Sequence, residues 1–234
     1  MAKRDPVPAI RDHARNIFDD LLDAISPARC PGCGRRGALV CDTCADALAP
    51  APVGAPPPPL AWWTACFAYQ GVARELVARA KYRAERRFLV PVARVLAVAL
   101  EHAPPFDLVT WAPASAPRIR AQGVDHGEVL ARAVAGVIGA RVAPCLVRAP
   151  GAAQTGRDAS ARRAGPGLRA VRPMSGAVIL VVDDVATTGG TLAAAGRALL
   201  QVGASEVLAA TIARTPGPGT RSRGAAYTPG YSDR

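Results

Sequence analysis

Two rhythms of apolar positions run along the chain. Ile10, Ile17, Phe18, Leu21, Leu22 and Ile25 recur at helical spacing with Arg11, Asp12, Arg15, Asp19 and Asp20 between them, which predicts an amphipathic helix that Pro27 ends. Beyond residue 60 the pattern changes. Short apolar stretches at 62–69, 108–112, 178–182 and 206–212 read as strands, and they alternate with helical patterns at 73–79, 88–102, 127–138 and 192–202. Such alternation predicts an α/β domain with a mostly parallel sheet flanked by helices. Residues 50–59 are proline, alanine, glycine and valine, a run that reads as a linker. After residue 213 there is little apolar surface to bury, so 214–234 are expected to be a disordered tail. The resulting organisation is a small module over 1–49, a linker over 50–59, a domain over 60–213 and the tail.

Length and composition fit that division: 234 residues, half of them apolar, suffice for one ordinary domain and a small module. Apolar runs such as 92–100 are broken by Arg94 and fall far below the roughly 20 uninterrupted residues of a membrane-spanning helix. Residues 1–8 mix charge with proline and lack the apolar core of a secretory signal, so a cytoplasmic location is expected. The net charge of +11 is nearly all arginine, with lysine only at Lys3 and Lys81. A balance of this kind favours polyanionic partners when the charge is clustered, whereas arginines spread thinly over a surface are solvated charge without a dedicated partner.

Cys30 and Cys33, then Cys41 and Cys44, form two C-x-x-C knuckles separated by seven residues. In a reducing compartment disulfides are the poorer explanation, while two such knuckles complete the tetrahedral sulfur site of a structural Zn²⁺ ion. Gly32 and Gly34 suit tight knuckle turns. With four sulfur ligands no position is left for water or substrate, so the metal is expected to fold the segment and not to catalyse; redox activity of the knuckles is the lesser alternative. Cys66 and Cys145 stand alone and read as small buried apolar residues.

The apolar run 178–182 ends in Asp183 and Asp184, followed by Val185, Ala186 and a turn of Thr187, Thr188, Gly189, Gly190 and Thr191 that leads into a helical pattern. A continuous apolar stretch is what a central parallel strand looks like, and an open α/β sheet places its ligand crevice at the carboxyl ends of such strands. The glycine pair lets backbone approach an anion, the threonine hydroxyls can donate hydrogen bonds, and the helix start adds N–H groups and a favourable dipole. Asp183 and Asp184 would repel a phosphate but can accept hydrogen bonds from sugar hydroxyls and help to hold Mg²⁺. Together these features predict a ribose-phosphate site; the plainer reading is a buried strand followed by a helix cap.

The stretch from Asp183 to Thr191 resembles the phosphoribosyl-pyrophosphate signature of type I phosphoribosyltransferases. Together with the four cysteines it makes residues 24–213 resemble the ComF family, which joins a zinc ribbon to a phosphoribosyltransferase domain and is linked to natural competence and DNA uptake. The resemblance implies a phosphoribosyltransferase-like fold, binding of phosphoribosyl pyrophosphate with Mg²⁺, and glycosyl (pentosyl) transfer with Asp183 and Asp184 as its catalytic acids. Lys81 and Tyr82 match a Lys-Tyr pair of the family; Ser115 and Arg118, after Trp111 to Ala114, resemble its pyrophosphate loop; Gln154 and Arg162 resemble its mobile region. Lys81, Arg118 and Arg162 would supply cations for a pyrophosphate leaving group, although any one of them could be a solvated surface charge.

The chain also departs from the family. Where Arg-Gly-Phe-Asn-Gln is common, residues 122–126 read Gln-Gly-Val-Asp-His, and the asparagine expected after Arg162 is missing, with Gly165 in its place. His126 is therefore open to a reading as general base or substrate contact, and Asp125 and His126 equally to a structural role at a helix start. Two functions follow from the sequence. One is a phosphoribosyltransferase. The other is a non-catalytic DNA-uptake factor binding single-stranded DNA or a helicase-like partner.

Overall fold

The computed structural model describes residues 29–38, 40–82, 86–149 and 166–216. The helix expected over 10–25 lies outside them, as do Gln154, Arg162 and residues 217–234. Six strands and six helices are labelled here: α1 (Asp42–Asp46), β1 (Trp62–Ala68), α2 (Gly71–Tyr82), α3 (Arg86–Leu100), β2 (Leu108–Trp111), α4 (Ala116–Gln122), α5 (His126–Ile138), β3 (Leu146–Arg148), β4 (Leu168–Ala170), β5 (Val178–Ala186), α6 (Gly190–Leu200) and β6 (Glu206–Arg214).

Four strands form one sheet in the order β1-β6-β5-β2, and every pairing in it is parallel. The alternating apolar side chains of the central strands explain the layers on either side. Leu180 and Val182 of β5, with Leu208, Ala210 and Ile212 of β6, enter one core that holds Val72, Leu76, Leu96 and Val134 from α2, α3 and α5. Ile179 and Val181, with Val207 and Ala209, enter a second core shared with Leu192, Ala195 and Leu199 of α6 and with Leu146 of β3. A strand buried on both faces reads as a near-continuous apolar run, and residues 178–182 carry no polar residue.

Each of the four sequence-predicted strands is present, and each predicted helix between 60 and 213 is present with ends shifted by a few residues. The largest difference is in β5, which continues four residues past its apolar run to Ala186. The cause is β6: pairing runs on through Asp183 with Thr211, Val185 with Ala213 and Ala186 with Arg214. Four elements are not foreshadowed by the sequence pattern: α4, the short α1, and the antiparallel pair β3-β4. Both strands of that pair are three residues long, too short for a period to register.

The cysteine module is not a separate globule. Cys30, Val40, Cys41, Cys44, Ala45 and Leu48 belong to the same core as α2, α3 and α5. From there residues 49–51 run antiparallel along the free edge of β1, where Ala68 N–H donates to Ala49 O at 2.9 Å and Ala51 N–H to Cys66 O at 3.1 Å. The proline-rich run then continues along the domain surface to Leu60, which is buried in the second core. Among the described residues, no helix is long and apolar enough to cross a membrane. Leu180 is fully buried at the centre of the sheet, and Leu180→Ala is expected to lower unfolding free energy by about 2–5 kcal/mol, measured by urea denaturation.

Candidate functional site

The carboxyl ends of β2 and β5 open into a cavity of about 260 Å³, bordered by Tyr69, residues 112–114, Arg118, Gln122, residues 125–127, Arg148, residues 183–185, Thr187 and Thr191. The crevice thus lies where an open parallel sheet is expected to place one. Its acidic wall is locally braced. Asp183 Oδ1 accepts the Asp184 N–H at 2.8 Å, and Asp184 Oδ1 accepts the Val185 N–H at 2.6 Å.

The turn after β5 is built around Gly189, which sits at φ +73° and forms the N-cap of α6. Left-handed backbone of this kind disfavours any residue with a Cβ. Space forbids it as well, because a Cβ there would lie 2.9 Å from Cγ of Pro57. Thr188 Oγ1 accepts the Gly190 N–H at 3.3 Å, and Gly189 O accepts the first helical N–H, from Ala193, at 2.9 Å. Thr187 and Thr191 border the cavity; Thr188, Gly189 and Gly190 form the turn between them without lining it.

The opposite part of the cavity is organised by Asp125. Its carboxylate caps α5 by accepting the N–H groups of Gly127 at 3.0 Å and Glu128 at 3.4 Å. The other oxygen accepts the N–H of Ala114 at 2.9 Å. One side chain therefore ties the loop after β2 to the start of α5, a helix-start role of the kind the sequence left open. His126, the first residue of α5, lines the cavity beside it.

Other expected pyrophosphate contacts are placed unequally. Arg118, exposed on α4, borders the cavity, whereas Ser115 is the N-cap of that helix and does not. Lys81 is the penultimate residue of α2, and Arg162 lies outside the described residues. Two cavity residues escaped the sequence reading. Arg148, at the end of β3, reaches back so that its Nε donates to Pro113 O at 2.9 Å, and Tyr69 follows the last residue of β1. The only available signal for Tyr69 was its place at the carboxyl end of an expected strand.

At the cysteine module the four Sγ atoms lie within 4.8 Å of one another, and Cys33 and Cys41 approach to 3.5 Å. A tetrahedral ion with sulfur at about 2.3 Å requires sulfur separations near 4 Å, so the group could hold zinc. The first knuckle closes through Gly34 N–H to Cys30 O at 2.9 Å, with Gly34 at φ +76°. Gly32 is demanded by crowding instead: a Cβ there would meet Cys44 Sγ at 2.6 Å and Val72 at 3.1 Å. The second knuckle leads into α1, with Cys41 as its N-cap.

The thiols are electrostatically unequal. Burial acts to raise Cys30, but backbone N–H groups of Cys41, Cys33 and Gly32 and the neighbouring Cys44 outweigh it and bring the thiol down to about 7. Burial and the sulfurs beside them push Cys44 and Cys41 upward. Crowded thiols resist ionising together unless a cation compensates them. Cys66, by contrast, is pushed up to about 12 by burial alone, which keeps it a neutral thiol.

Residues 125–228 match the family model described as phosphoribosyl transferase domain. With the parallel sheet, its flanking helices and the cysteine cluster, the fold is that of a phosphoribosyltransferase-type domain behind a four-cysteine module. No curated protein matches the chain. Among solved structures, the allosteric regulatory enzyme of purine biosynthesis is 23% identical, with 58% of this chain and 26% of that chain covered at a TM-score of 0.36. Phosphoribosylpyrophosphate synthetase from Mycobacterium smegmatis is 24% identical, covering 53% and 33% at 0.33. Adenine phosphoribosyltransferase from Thermoanaerobacter pseudethanolicus is 17% identical, covering 56% and 83% at 0.37. The chain thus aligns with about a quarter and a third of the first two proteins' length.

Because Asp125 satisfies two N–H groups of α5 and one of the preceding loop, Asp125→Ala is expected to cost at least about 1–2 kcal/mol of stability, read from chemical denaturation. Asp125→Asn, which keeps one acceptor oxygen, is expected to lose less.

Proposed function

We propose that this protein binds phosphoribosyl pyrophosphate with Mg²⁺, or a related nucleotide phosphate, at the carboxyl end of β5 and transfers the phosphoribosyl group to an acceptor. The observation that carries the reading is that Asp183, Asp184, Thr187, Thr191, Arg118 and Arg148 border one cavity. Carboxylates suit ribose hydroxyls, while the threonine hydroxyls and the N–H groups at the start of α6 suit the 5′-phosphate. Arg118 and Arg148, with Lys81, Ser115 and Arg162 as further candidates, would meet the charge that develops on pyrophosphate. Mg²⁺ would add charge neutralisation of the pyrophosphate, with Asp183 and Asp184 as the nearby carboxylates.

In this reaction a nucleophilic atom of the acceptor bonds to the anomeric carbon as the bond from that carbon to pyrophosphate oxygen breaks. The electron pair departs with pyrophosphate, and the acceptor's proton passes to solvent or to a nearby base. His126, which borders the cavity, is the candidate for that base. The protein's contribution is mainly to position the two reactants and to stabilise the leaving group.

The four thiols are assigned a structural Zn²⁺ ion, which would pin the two knuckles to each other and leave no position for substrate. The order of parts, knuckles before a phosphoribosyltransferase-type domain, supports a ComF-like role in DNA uptake within the cytoplasm, where single-stranded DNA and a helicase would be the partners.

Titration calorimetry with phosphoribosyl pyrophosphate and Mg²⁺ is expected to show binding to the wild type that weakens roughly a hundredfold in an Asp183→Asn/Asp184→Asn variant. A wild type that does not bind would remove the transferase reading and bring forward salt-dependent binding of single-stranded DNA, whose affinity should then fall steeply between low and moderate salt.

Metal analysis of purified protein is expected to find a single zinc ion per chain. Cys44→Ser is expected to lose it and to unfold at lower temperature, because Cys44 belongs to the core shared with α2.

A further inference from the structure

The proline-rich run between the cysteine module and β1 touches the phosphate turn. Its course is fixed at several points. Pro50 forms an antiparallel bridge with Phe67, and the guanidinium of Arg214, 4.5 Å from the centroid of the Trp63 ring, covers the run while donating to Pro52 O at 3.3 Å. A Cβ on Gly54 would meet that guanidinium at 2.7 Å, and Trp63 Nε1 donates to Gly54 O at 3.4 Å. At the far end Leu60 N–H donates to Pro57 O at 3.1 Å and Ala61 N–H to Val207 O at 2.9 Å.

Between these anchors the chain leans on α6 at two glycines. Pro57 fills the space beside Gly189, its Cγ and Cβ lying 2.9 and 3.1 Å from where a Cβ would be, and Leu60 and Pro59 do the same at Gly196, at 3.0 and 3.4 Å. Gly189, the N-cap of α6, offers no side chain to hold its own helix start, whereas Asp125 caps α5 with its carboxylate. Glycine has wide conformational freedom, so packing against Gly189 adds to the restraint that the Thr188 Oγ1 and Gly189 O hydrogen bonds give the turn.

We infer that Pro57 is a positioning residue for the turn from Thr187 to Thr191: its ring holds Gly189 in the conformation that aims the α6 N–H groups at the ligand. Pro57 does not border the cavity and acts only through Gly189. Proline suits the task, because a residue already restricted in φ loses little entropy when held against the helix. The clamp of Arg214 on Trp63 and Pro52 keeps the run taut between the module and α6. The inference rests on the turn being a phosphate site, but the order it assigns to the turn exists without ligand.

Pro57→Ala removes Cγ and leaves the other anchors; Pro57→Val restores carbon at the γ position without the ring; Val53→Ala alters an exposed residue of the same run and serves as a control. Hydrogen–deuterium exchange on ligand-free protein is expected to show amides 187–191 exchanging several-fold faster in Pro57→Ala, near wild type in Pro57→Val, and unchanged in Val53→Ala. Calorimetry with phosphoribosyl pyrophosphate and Mg²⁺ is expected to show a matching loss of affinity of roughly three- to tenfold in Pro57→Ala, with thermal midpoint and zinc content held. Turn protection equal to wild type in folded Pro57→Ala overturns the inference. So does exchange that rises as one block through residues 50–60, β1 and α6, or a loosened turn that binds with undiminished affinity. If the wild type itself fails to bind, the transferase reading falls and the exchange comparison still decides the role of Pro57.

Discussion

The backbone ladder between β5 and β6 is the constraint on which the rest of the molecule depends. It sets the two apolar cores apart, because alternate residues of both strands point to opposite sides. It then continues past the apolar residues, with Asp183 opposite Thr211 and Ala186 opposite Arg214. Two adjacent carboxylates would repel each other and favour a solvated loop. Paired backbone, together with the N–H groups each carboxylate accepts from its successor, holds them at the rim of the crevice instead. A rigid strand end holds side chains more accurately than a loop would.

Much of this architecture was legible in the sequence, for reasons that differ by element. β5 and β6 announce themselves because strands covered on both faces are apolar at most positions. α5 is legible from its apolar period and closes with Gly139 in left-handed backbone at its C-cap. The extent of β5 was not legible, since its last four residues are dictated by a partner strand some thirty positions away and not by their own composition. α4 went unseen because none of its residues is buried, so no apolar stripe marks it. The cysteine spacing suggested a metal module, but its fusion with the core of α2 and α3 joins residues some forty positions apart, as where Val72 stands beside Gly32.

The candidate site divides in the same way. Asp183, Asp184 and the threonines of the turn are contiguous, so their chemistry is visible in a short window. Arg148 and Tyr69 arrive from distant strands and become neighbours of that window only through the fold. Gly189 is instructive in another respect. Its sequence suggests room for an anion, yet the face where a side chain would stand is occupied by Pro57. The glycine is needed for a close approach of chain to chain on that face, and the proline-rich run is part of the domain's packing despite its linker-like composition.

The position of β6 bears on the order in which the molecule can be assembled. Among the described residues β1 is an edge strand whose one sheet partner is β6, and about 140 residues of synthesis separate the two. As the chain emerges from the ribosome, the cysteine module, the proline-rich run and β1 must wait for nearly the whole domain before the sheet can close around β6. Until then the edge of β1 meets only residues 49–51 and an unfilled place on its other side. The cysteine module packs next to that strand, in the core it shares with α2 and α3. The last described strand is then the one that joins β1 to β5 and β2.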